Sequence, residues 1–191
     1  MKRITGLVIP AALLLFSVAG CSKEGKQVTP ANETIITESE CTDYNVSLLS
    51  HGFVNGKTTY VWSIINPVPG NGQNCTLQDL SHWGLLPDPC SDTPYPGLFF
   101  FQQDIVSAAY SVDGGINWVS LGTPTVKTDK SQNCTGEYKF LKFDKGTTGS
   151  AETQFKLVLN GQWGVRGNVA FFKAGKKCWS QWVEGGIGCK P

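Results

Sequence analysis

From position 41 to the C-terminus, the sequence sustains no apolar period of 3.6 residues over a dozen positions. A helix needs such a stripe to bury one face, so helical architectures are removed at once. What remains is a series of short runs rich in β-branched and aromatic residues, broken by Gly, Pro and Asn turns. That is the pattern of strands in an all-β domain. The low charge, 16% of residues against roughly a quarter in an average globular chain, and the 22 glycines agree with it.

Residues 58–65, TTYVWSII, put Tyr60 and Trp62 on one face and Val61 on the other. The Asn-Pro-Val-Pro-Gly string that follows ends the run. Residues 76–86, TLQDLSHWGLL, read as the next strand, with Leu80 and His82 on one face and Ser81 and Trp83 on the other. Residues 87–97 hold four prolines and read as an ordered loop pinned by Cys90. Residues 98–111 read as a strand pair, and 137–143, 153–159, 163–172 and 177–183 supply further strands, for eight to ten in all. An antiparallel two-sheet β-sandwich, of jelly-roll or Ig-like type, is the expected way to bury their apolar faces.

The N-terminus carries an address. Lys2 and Arg3 precede an uncharged, mostly apolar run at 7–19, too short to span a bilayer, which needs about 20 residues. The run ends in Val18-Ala19-Gly20-Cys21. This string resembles the lipobox of bacterial lipoproteins, in which the cysteine thiol is acylated, with palmitate among the chains, and the preceding bond is cut. The resemblance implies a signal peptide at 1–20, lipidation at Cys21 and a membrane anchor made of lipid alone. Several acyl chains on one residue hold a protein where one chain would not. Residues 21–40 lack aromatics and periodicity and read as a flexible tether, reaching about 25 Å by random-coil scaling. Ser22 and the Lys23-Glu24 pair suggest, by analogy with other lipoproteins, the outer membrane, on its periplasmic face or at the cell surface.

Six cysteines remain in the domain at 41–191: Cys41, Cys75, Cys90, Cys134, Cys178 and Cys189. An even number in an exported chain reads as three disulfides, with fifteen pairings open in principle. The short spacing around Gly185-Gly186 favours Cys178 with Cys189. A zinc site is disfavoured because no two cysteines have the two-to-four-residue spacing of zinc knuckles.

For chemistry the sequence offers little. Without Lys2 and Arg3 the chain holds 14 basic and 15 acidic groups, and no basic stripe for nucleic acid. Lys139, Lys142 and Lys145 read as a strand edge. Asp79, Ser81 and His82 contain the members of a nucleophilic triad, but on a strand His82 faces away from the other two, and no G-x-S-x-G elbow accompanies them. Asp88 and Asp92 weigh as calcium-loop carboxylates against ordinary turn residues. No metal, cofactor or catalytic residue is assigned.

Residues 111–118, Ser-Val-Asp-Gly-Gly-Ile-Asn-Trp, match S-x-D-x-G-x-x-W and so resemble the Asp-box of sialidases and related β-propellers. There the motif is structural, which implies a hairpin here rather than sialidase activity. The LSHWGLLP stretch, with the region from Tyr60 to the terminal Gly-Ile-Gly-Cys, resembles cysteine-containing β-sandwich lipoproteins of Bacteroidetes-type bacteria, which implies a fold and a compartment. Of six tryptophans, Trp179 and Trp182 have the best chance of forming an exposed platform. The sequence therefore reads as a non-enzymatic envelope lipoprotein binding a glycan or another envelope protein. A small carbohydrate-active hydrolase and a purely structural envelope protein are the alternatives.

Overall fold

The structure, a computed structural model, describes residues 43–86, 101–128 and 138–190. These form ten strands: β1 (Asn45–Val54), β2 (Lys57–Ile65), β3 (His82–Leu86), β4 (Ile105–Ser111), β5 (Val119–Gly122), β6 (Val126–Lys127), β7 (Phe140–Phe143), β8 (Thr153–Asn160), β9 (Val165–Ala174) and β10 (Lys177–Ile187). A single helical turn, α1 (Phe101–Asp104), precedes β4. One sheet has the order β1-β2-β8-β4-β5 and the other β10-β9-β3-β7-β6. All pairs of these strands are antiparallel, and the described residues form an all-β sandwich of two five-stranded sheets.

Strict alternation builds the first sheet. In β8 the sequence TQFKLVLN buries every second residue, so Phe155, Leu157 and Leu159 face inward beside Tyr60, Trp62 and Ile64 of β2. From the second sheet come Trp83 and Leu85 of β3, Leu141 and Phe143 of β7, and Ala170 and Phe172 of β9. The aromatic rings are in contact through the whole centre. Tyr60 stacks on Trp62 at 5.2 Å, Trp62 meets Trp83 edge-on at 6.0 Å, and Trp83 stacks on Phe143 at 4.8 Å. Such pairs add about 0.5–1.5 kcal/mol each beyond the area they bury.

Three segments depart from the sequence reading. β1 lies where no strand was expected, because only Val46 and Leu48 of NVSLLSHGFV pack against the core. It is held to β2 by a two-residue turn, Asn55-Gly56, both at positive φ (52° and 74°), the geometry of a type I′ hairpin. Residues 76–81 are not strand. Their backbone is satisfied instead by irregular partners: the Asn66 amide donates to Leu77 O and Gln78 O, the Tyr44 hydroxyl donates to Gln78 O, and Leu80 N–H donates to Thr147 O. Leu80 and Trp83 are consequently both buried, although alternation would place them on opposite faces. The stretch expected to be a strand pair contributes α1 and one strand, β4, and positions 98–100 lie outside the described residues.

Two features matter for the surfaces. The sheets are tied along one side, where Trp62 Nε1–H donates to Gly185 O (2.6 Å) and the Gln181 amide donates to Tyr44 O (2.9 Å). On the outer face of the second sheet, Phe140 and Phe171 are also buried, with ring centroids 5.5 Å apart. Gly84 leaves room for them, since a Cβ there would lie 2.1 Å from Phe140 Cδ2 and 2.3 Å from Leu141 O.

Candidate ligand-binding surface

β10 decides what the two late tryptophans do. They are three positions apart, an odd spacing, so an extended strand points them to opposite faces. Trp179 turns inward and is 4% exposed, stacked 5.4 Å from Tyr44 and 6.0 Å from Phe172. The expectation that it shares an exposed platform is therefore corrected: its ring is core. Trp182 turns outward and is 58% exposed.

The Trp182 ring is seated. A Cβ on Gly167 of the neighbouring strand β9 would come within 2.0 Å of Trp182 Cζ2 and 2.6 Å of Cε2, so the indole lies against bare glycine backbone. Its Nε1–H donates to Glu184 Oε1 at 2.9 Å. Val165, 45% exposed, and Val169, the cross-strand partner of Trp182, share this outer face. The sequence signal missed was the small residue at 167, without which the ring could not lie down.

The remaining tryptophans are structural. Trp62, Trp83 and Trp163 are buried, and Trp163 donates Nε1–H to Asn160 O (2.8 Å) with Lys190 Nζ 4.7 Å above its ring. Lys190 in turn pairs with the nearly buried Asp104 at 2.9 Å, which fastens the C-terminal residues to the start of β4. Trp118 is half-buried beneath Lys156 Nζ, 4.0 Å from its ring centre.

Residues 111–118 close the β4–β5 hairpin. Asp113 Oδ1 accepts from Ser111 Oγ (2.6 Å) and from Asn117 N–H (2.9 Å), and Oδ2 accepts from the Asn117 amide (2.7 Å). Gly114 and Gly115 supply positive φ of 73° and 85°. The backbone N–H of Asn117, helped by Ser111 and the Asn117 side chain, holds the Asp113 carboxyl down to about 2. A carboxylate so engaged is a turn clasp, not a proton donor.

Of the triad candidates, Asp79 is engaged through Oδ1, which accepts the N–H of Gly149 at 2.7 Å; the backbone N–H of Ser81 donates to Lys173 O, and His82 begins β3 opposite Lys173. The lysine cluster disperses as well. Lys142 pairs with Asp144 at 2.8 Å and Lys145 lies over the Tyr110 ring. Burial opposes ionisation of Asp144, but the hydrogen bond from Lys142 and the charges of Lys142, Lys127 and His82 outweigh it and leave the carboxyl below its ordinary value. Among the described residues, no group of three His, Cys, Asp or Glu side chains could hold a metal ion.

Cys21, Cys41, Cys90 and Cys134 lie outside the described residues, as do Asp88 and Asp92, the segments 1–20 and 21–40, and the proline-rich loop. None of Cys75, Cys178 and Cys189 stands without a partner. The favoured pairing of Cys178 with Cys189 is nevertheless overturned. Cys178 sits near the start of β10 and Cys189 lies just past its end. The intervening strand separates their Cα atoms by roughly 30 Å, against about 5.5 Å in a disulfide.

No family model matches the sequence, and no curated protein matches it.

Proposed function

We propose that the chain is a lipid-anchored lipoprotein of the cell envelope whose β-sandwich is a non-enzymatic binding module. The anchor is carried by one observation: Lys2-Arg3, the apolar run at 7–19 and Val18-Ala19-Gly20-Cys21 occur in the order that export and acylation require. A diacylated or triacylated Cys21 then holds the domain at the membrane, by choice the outer one, through the tether at 21–40. The six later cysteines fit the same compartment as three disulfides, each worth about 2–4 kcal/mol when it closes a long loop.

Binding rather than catalysis is supported by the surface. The Asp79 carboxylate is taken up by the Gly149 N–H, whereas Trp182 offers an aromatic face to solvent. The ligand is a glycan or another envelope protein.

The anchor is tested by metabolic labelling with a palmitate analogue and by fractionation of cells. The wild-type chain should carry label and sediment with membranes, and C21A should lose both. Unchanged membrane retention of C21A would defeat the reading.

A further inference from the structure

We propose that Trp182, Gly167 and Glu184 form a carbohydrate platform that takes a neutral pyranose ring; this deepens the binding reading above and rests on it. The argument begins with rigidity. A surface tryptophan ordinarily loses rotamer freedom when a ligand settles on it, which weakens binding. Here that freedom is already restricted, because the ring rests on Gly167 backbone and its Nε1–H is tied to Glu184 Oε1 at 2.9 Å. One indole face is closed by the seat, so the 58% exposure belongs to the opposite face and the ring edge.

The chemistry of that opposite face selects the ligand. An aromatic face is the negative side of the ring quadrupole and attracts polarised C–H groups. A pyranose presents such groups as a flat patch of axial hydrogens, with hydroxyls around its rim. Glu184 uses Oε1 on the indole, which leaves Oε2 as an acceptor for those hydroxyls. The same carboxylate repels uronic and sulfated sugars, which narrows the class to neutral or amine-bearing rings. Val165 and Val169 extend the apolar floor along β9, so that a second sugar unit of a linear oligomer has a surface to follow.

The test uses the full-length chain in detergent, titrated with cellopentaose, chitopentaose and tetragalacturonate while the heat of binding is followed by isothermal titration calorimetry. A neutral oligomer should bind saturably, tetragalacturonate should not, and W182A should weaken binding by about tenfold or more. G167A provides the control that a merely structural Trp182 would not satisfy. The three atoms nearest its added methyl all belong to the Trp182 ring, at the far end of a side chain, so the domain should fold, but the ring is lifted and affinity should fall with the melting temperature kept. E184Q keeps an acceptor for Nε1–H and should admit the acidic oligomer. Retained binding in both W182A and G167A would overturn the platform. So would the absence of any neutral-sugar binding up to on the order of 10 mM; membrane retention of the same protein would then leave the lipoprotein reading standing, with an envelope protein as its ligand.

Discussion

Replacing Gly84 with alanine adds one methyl group at the most crowded point of the second sheet. β3 is paired on both sides, to β7 and to β9, so the strand cannot swing aside. The new Cβ would lie 2.1 Å from Phe140 Cδ2, 2.4 Å from Phe140 Cε2 and 2.3 Å from Leu141 O. The ring can rotate away, at the expense of its contact with Phe171. The carbonyl belongs to the paired backbone and can move only with β7. Overpacking of this kind costs about 1–3 kcal/mol, and the smaller unfolded-state entropy of alanine returns about 0.4–1 kcal/mol. The net loss is about 1–2 kcal/mol, which in a domain of this size lowers the melting temperature by about 2–8 °C. Differential scanning calorimetry of G84A, F140A and G84A/F140A measures it. The double variant should lose less than the sum of the two single ones, because the ring obstacle is gone while the carbonyl remains. A G84A melting temperature equal to wild type, or strict additivity, would refute the packing described.

Further outcomes follow from named contacts. Asn168 is buried and bonds both Ile187 N–H (2.7 Å) and Ile187 O (3.2 Å), so N168A should lower stability by about 1–3 kcal/mol, read as a urea midpoint shift at constant slope. Asp113 is held at about 2 against an ordinary 3.8. A depressed carboxylate stabilises the fold above its unfolded value, and that contribution fades as pH falls through the folded one. The melting-temperature gap between wild type and D113N should therefore be full at neutral pH and close between about pH 4 and pH 2; a constant gap would contradict the clasp. Peptide mapping of the oxidised chain without reduction should yield no Cys178–Cys189 link, and finding one would show that β10 is not continuous.

The sequence revealed most where alternation was clean. TTYVWSII and TQFKLVL each declare a buried face, and β2 and β8 lie where that pattern puts them. β1 was illegible because it has only two half-buried residues and its Ser, His and Gly dilute the period, although Asn55-Gly56 was a hairpin signal in plain view. Residues 76–81 resemble a strand in sequence because apolar spacing alone cannot show that a backbone finds its partners in Asn66, Tyr44 and Thr147. Nearness in sequence groups Trp179 with Trp182 and Cys178 with Cys189, yet a strand turns an odd spacing into opposite faces and a spacing of eleven into opposite ends. The seat beneath Trp182 is not legible in the sequence because it depends on a cross-strand glycine fifteen positions earlier.

The side of the sandwich sealed by Trp62 with Gly185 and by Tyr44 with Gln181 joins positions 123 and 137 residues apart. Closure therefore waits for β10 to arrive, whichever direction nucleation takes, and contacts of such long range form slowly. A polypeptide delivered N-terminus first would have to remain open until β10 follows, its large aromatic interior shielded by other means until that strand docks. Removing β10 would then leave a chain that never locks, rather than a shorter protein.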